Sequence, residues 1–144
     1  MLSQNRGPSF LPLTINATTD VSTMLATSSQ RATAETVRRR AVDADRAAAE
    51  CWAALLAGCD APLCRALPVR LRELSEATSA YAGTRWWFGR GTPHRHRVGR
   101  ALERIEDAVA ERDGADFAEA FVGYDQAVAT ALVNAHSRLE SPAT

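Results

Sequence analysis

The sequence predicts an all-α protein: an antiparallel up-down-up-down four-helix bundle preceded by a disordered N-terminal tail. Three observations predict it. Apolar residues recur at alternating steps of three and four from residue 33 to the C-terminal end, the period of one helix face. Glycines and prolines cluster between these runs. The runs are joined by short connections, which favour antiparallel neighbours.

Residues 1–31 are rich in Ser, Thr and Asn and show no helical period, so they read as a disordered tail. Met24 is a possible alternative start, which would make most of that tail dispensable. The bundle spans residues 32–140, and residues 141–144 fray. In the first helix Thr33 is the expected N-cap, with Glu35 in the first turn. Its stripe is Val37, Ala41, Ala44, Ala48, Cys51 and Leu55, and Gly58 is its stop. The second helix opens at Asp60 with Pro62 in its first turn, and Pro68 predicts a kink or a restart. Leu67, Leu71, Leu74, Ala77 and Tyr81 are its core face, and Gly83 ends it. The third helix starts at Thr92-Pro93 and buries Val98, Leu102, Ile105 and Val109. After a turn at Asp113-Gly114, Asp116 and Glu119 have capping-box spacing at the start of the fourth. Phe117, Phe121, Tyr124, Val128, Ala131 and Leu132 are its stripe. Alanine fills many core positions, so a homodimer is a possible cover for the remaining apolar surface.

Composition narrows the function classes. The 144 residues suit one domain, and 46% hydrophobic content is that of a globular chain. Seventeen basic and 17 acidic residues give zero net charge, so attraction to nucleic acid must come from local clustering. The basic residues are all arginine, which together with the abundant alanine points to a GC-rich bacterial genome; a single arginine therefore carries little weight. The three cysteines, Cys51, Cys59 and Cys64, are an odd set. Free thiols are the default; Cys51 sits in the core stripe, and Cys59 and Cys64 could pair or act as a redox switch. No apolar stretch approaches the roughly 18–20 residues that span a bilayer. The short patch Phe10 to Leu13 is not a convincing signal peptide. A cytoplasmic protein without membrane association is expected.

The predicted topology gathers chemistry at its ends. One end collects Arg38, Arg39, Arg40, Arg85, Arg90, His94, Arg95, His96, Arg97, Arg100, His136 and Arg138; the other collects Asp60, Glu111, Asp113, Asp116, Glu119 and the cysteines. Arg38, Arg39, Arg40, Arg95, Arg97 and Arg100 fall at two expected helix starts, where free backbone N–H groups favour an anion. They are the candidate anion-binding residues, unless Glu103, Glu106 or Glu140 neutralise them. The segment Gly83-Thr84-Arg85-Trp86-Trp87-Phe88-Gly89-Arg90-Gly91 reads as a loop. Either its aromatic residues plug the end of the bundle, or Arg85, Trp86, Trp87, Phe88 and Arg90 form an exposed partner anchor. Base stacking beside arginines would suit single-stranded nucleic acid.

Trp87-Phe88-Gly89 between two helices resembles the Trp-x-Gly turn of the WXG100 family of secreted helical hairpins. The resemblance covers three residues and the surrounding topology. The family's Tyr-x-x-x-Asp/Glu tail signal is not met, because Val128 follows Tyr124 at that spacing. The chain is not assigned to the family.

Other chemistry finds no support in the pattern. His94 and His96 are two apart, and on a helix they point to different sides. The cysteines lack a fourth ligand for a Cys-only metal site. No Glu precedes a His at the spacing of a di-iron motif. Asp43, Asp45, Glu73, Glu76, Glu106 and Asp107 read as a solvated face. No metal, cofactor or catalytic residue is therefore expected. The leading expectation is a non-enzymatic protein-protein interaction or regulatory module using the aromatic and arginine loop. One alternative is nucleic-acid or polyanion binding through the arginine-rich end. Another is a small bundle enzyme or ligand carrier with an apolar pocket around Trp52, Phe117, Phe121 and Tyr124.

Overall fold

The structure, a computed structural model, describes residues 9–24, 27–58 and 61–140. Among these residues there is no strand, and there are six α-helices: α1 (Pro12–Met24), α2 (Ser28–Ala57), α3 (Leu67–Ala82), α4 (Thr84–Phe88), α5 (Thr92–Ala110) and α6 (Gly114–Glu140). A 3-10 turn at Ala61–Cys64 precedes α3. The two helices beyond the expected four come from the segments read as tail and as loop.

The predicted stripes form the core. Val37, Ala41, Ala44, Ala48 and Cys51 of α2 are buried, as are Leu67, Leu71, Leu74 and Tyr81 of α3 and Phe117, Phe121, Tyr124, Val128 and Leu132 of α6. On α5, Val98 and Ile105 are buried, and Leu102 and Val109 are half-buried. The helices pair chiefly as α2 with α3 and α5 with α6. Trp52 near the end of α2 donates from Nε1 to the Gly114 carbonyl at the start of α6 (3.2 Å). Tyr124 on α6 places its hydroxyl 3.4 Å from the Leu71 carbonyl and 3.3 Å from Ser75 Oγ on α3. Burial raises the Tyr124 pKa to about 12, with the Ser75 hydrogen bond pulling the other way.

The tail expectation is corrected over residues 9–24. Pro12–Met24 is a helix, packed against both α2 and α6. Its buried positions are Thr14, Ala17, Thr18 and Val21, a helical face built from threonine and alanine. Threonine is tolerated there because its hydroxyl can bond to the preceding turn: Thr18 Oγ1 donates to the Ile15 carbonyl (2.7 Å). The first N–H groups of a helix need acceptors, and here they come from distant helices. Asp125 of α6, 3% exposed, accepts from the Leu13 and Thr14 N–H groups (3.0 and 2.8 Å). Asp45 of α2 accepts from Phe10 and Leu11 (2.6 and 2.9 Å), so it is not part of a solvated face. Phe10 then fills the space between Trp52, Phe117 and Phe121, with ring centroids 5.7, 5.7 and 5.3 Å away. A chain begun at Met24 would lose all of this. Part of the cover expected from a second copy is thus supplied by α1.

Three boundaries also move. α2 starts at Ser28, with Thr27 as N-cap accepting from the Gln30 N–H (3.0 Å), and Thr33 lies inside the helix. Pro68 marks a restart, because it lies in the first turn of α3. At α6 the cap is Asp113, whose Oδ1 accepts from the Asp116 N–H (2.9 Å), so Asp116 is a first-turn residue. The cysteine reading is corrected as well. Cys51 and Cys64 form a disulfide, with Cα atoms 4.4 Å apart, tying the end of α2 to the turn before α3. The odd count concealed it, since one cysteine of three is left over. Cys59, Asp60 and residues 141–144 lie outside the described residues.

Candidate functional site

The segment between α3 and α5 is built around Trp86. α3 ends at Gly83, whose φ of 92° is costly for any residue with a Cβ. The chain then turns directly into α4, and Trp87 N–H bonds to the Gly83 carbonyl (2.9 Å). The Trp86 carbonyl accepts from both Gly89 (3.0 Å) and Gly91 (2.6 Å), so the backbone after α4 curls over this residue. A Cβ on Gly91 would lie 2.6 Å from two atoms of the indole and 2.8 Å from the Trp86 carbonyl oxygen. The glycine flanking the aromatic run is therefore dictated by close approach.

The three aromatic residues have three different fates. Trp87 is 5% exposed and belongs to the core, which removes it from the candidate contact residues. Trp86 is half-buried and stacks on His94, with centroids 5.7 Å apart and planes 16° from parallel. Phe88 is 60% exposed, and the Arg95 guanidinium lies 4.7 Å from its ring centroid. Arg95 is itself held by a bond from Nε to the Trp87 carbonyl (3.3 Å).

Beside Trp86 lies a cleft of about 480 Å³, bordered by Arg85 of α4, Arg90 of the following turn and Arg138 of α6. Arg138 is fixed at the mouth: its Nη2 donates to the Ala82 carbonyl at the end of α3 (2.5 Å). Gly83 leaves room for this guanidinium, since an added Cβ would sit 3.3 Å from Nη2. No carboxylate borders the cleft. Among the described residues, none of these three arginines makes an ion pair. Nearby, His136 is buried with Nδ1 3.5 Å from the Tyr81 hydroxyl, so α3 and α6 are joined at this end.

The candidate anion-binding set does not come together. Arg38, Arg39 and Arg40 are well inside α2, because that helix begins at Ser28, and so they are not at a helix start. Arg38 faces Glu35 (3.7 Å), and Arg39 bonds to Thr36 Oγ1 (3.3 Å). Arg95 is engaged with Phe88. Arg97 and Arg100 lie beyond the first turn of α5, which begins at Thr92, and they line a separate groove of about 570 Å³ between α5 and α6, together with Glu103 and Asp107. The convergent trio is Arg85, Arg90 and Arg138. Sequence placed Arg138 at this end of the molecule without linking it to the aromatic segment; the signal was its position at the end of α6, where α3 also ends.

The histidines are also separated in role. His94 Nδ1 is buried without a hydrogen-bond partner. Desolvation, and after it the charge of Arg97, lowers the His94 pKa from 6.5. Among the described residues, no three of His, Cys, Asp and Glu are grouped to hold a metal ion. Around the expected apolar pocket, Phe10 packs against Trp52, Phe117 and Phe121, and a cleft of about 360 Å³ beside it is lined by Phe10, Trp52 and Phe121. Among the described residues, no helix is long and apolar enough to cross a membrane. No family model, curated protein or solved structure matches this chain.

Proposed function

We propose that this chain is a non-enzymatic interaction module that takes an anionic partner at the end formed by α3, α4 and the close of α6. One observation carries the reading: three arginines from separate segments, Arg85, Arg90 and Arg138, line a single cleft with no carboxylate in its lining. Like charges held together raise one another's electrostatic energy, so the arrangement favours a ligand that supplies negative charge. Guanidinium forks suit carboxylates and phosphates. Exposed Phe88, with Arg95 stacked on it, adds an apolar contact next to the charge. The interaction-module and polyanion readings of the sequence meet at this one surface.

The Cys51–Cys64 disulfide bears on location. Such bonds persist in oxidising compartments, which favours one of these over the cytoplasm. One reactive thiol in the denatured, unreduced chain, rising to three after reduction, is the expected count.

The test of the anionic-partner reading is binding to poly-glutamate and to single-stranded DNA at rising salt. At least one should bind, weaken steeply with salt, and be lost in an Arg85→Glu/Arg90→Glu double variant whose helicity is unchanged. If neither polyanion binds at low salt, the reading fails.

A further inference from the structure

The cleft beside Trp86 joins two kinds of recognition. Three arginines and Trp86 line it, and the Trp86 indole is held in place by the His94 stack and the close backbone of Gly91. Arg138 is anchored through the Ala82 carbonyl, so its guanidinium is positioned before any ligand arrives, with other donors left over. A guanidinium can bond two oxygens of one phosphate, and three arginines match a dianionic group with three terminal oxygens better than they match a single carboxylate. The indole offers a flat face or edge against which a ring can pack. The volume, about 480 Å³, falls among small-molecule sites, which run roughly 300–1,000 Å³.

Resting on the anionic-partner reading of the same cleft, we infer that its ligand is a phosphate monoester on a flat ring, of nucleotide size. The phosphate lies among Arg85, Arg90 and Arg138, and the ring lies against Trp86. Two sources share this chemistry: a free mononucleotide, and the 5′-phosphorylated end of a single strand.

The experiment is calorimetric titration of the full chain with six probes: adenosine monophosphate, adenosine, inorganic phosphate, oligothymidylate with and without a 5′-phosphate, and poly-glutamate. Saturable binding of adenosine monophosphate, with adenosine silent and inorganic phosphate weaker, is the expected result. Arg85→Ala and Arg90→Ala should each weaken it about tenfold, the usual scale for losing a charge-assisted bond. Both positions are exposed, so these variants should keep the helicity of the parent. Binding of the phosphorylated strand alone, with loss on removing its 5′-phosphate, supports the inference and identifies the strand end as the source. Equal binding of the two strands, or binding of poly-glutamate without the nucleotide, overturns the phosphate assignment and leaves the broader anionic reading standing. Silence of every probe overturns both.

Discussion

Asp45 and Asp125 are treated by this fold in the opposite way to Arg85, Arg90 and Arg138. The two carboxylates each accept backbone N–H groups at the start of α1, and Asp125 is buried in doing so. Their charge is used to hold a helix in place. Of the three arginines, Arg138 makes one bond to a carbonyl, and none has a carboxylate partner among the described residues. Charged groups that serve the fold and charged groups left open to a ligand can thus be separated by counting their internal partners. The comparison predicts large stability losses on the α1 side and small ones around the cleft.

The largest loss is expected from Phe10→Ala. It removes an 8%-exposed ring from contact with Trp52, Phe117 and Phe121, and such truncations cost about 3 kcal/mol or more. Urea unfolding measures it; a loss below about 1 kcal/mol would mean that α1 adds little to the fold. Asp125→Ala comes next, at about 2–3 kcal/mol, because the Leu13 and Thr14 N–H groups lose their acceptor. Hydrogen exchange at those two amides should accelerate more than exchange in α3. Uniform acceleration would point to global rather than local loosening.

These residues also mark where the sequence was readable. The stripes of α3, α5 and α6 are built largely on Leu, Ile, Val and Phe, and that of α2 on alanine with Val37 and Cys51, all at helical spacing, so period located them. α1 uses the same spacing at Thr14, Ala17, Thr18 and Val21, but threonine is apolar only once its hydroxyl is satisfied by the preceding turn. Its caps are Asp45 and Asp125, the second more than a hundred residues away in sequence, and no local motif reveals a cap of that kind. The aromatic segment was legible as unusual, whereas the division of labour among Trp86, Trp87 and Phe88 depends on how the backbone curls at Gly89 and Gly91. Arg85 and Arg90 were legible as candidates; their convergence with Arg138 needed the packing of α6 on α3.

Around the cleft, Gly91→Ala should cost about 1–3 kcal/mol, the range for overpacking, since the new Cβ meets both the indole and the Trp86 carbonyl. Circular dichroism and urea midpoints would show it, and a neutral result would mean that the turn can relax away from Trp86. A smaller effect follows from His94. Its pKa is lowered in the folded chain, so the unfolded chain binds the proton more readily. The stability contribution is therefore complete above the unfolded pKa near 6.5 and declines as pH falls through it. Melting temperature should drop less on acidification in His94→Gln than in the parent chain. An identical drop in both would remove His94 as a cause.

The smallest stability change is expected where binding should change most, and that contrast tests the central claim directly. The measurement is urea unfolding of the Arg85→Ala/Arg90→Ala double variant, compared with the parent chain. An unfolding free energy within about 0.5 kcal/mol of the parent would show that these guanidiniums are not required by the fold and remain open to an anionic ligand. A loss comparable to that of Asp125→Ala would show that they hold the structure together, and would contradict the account.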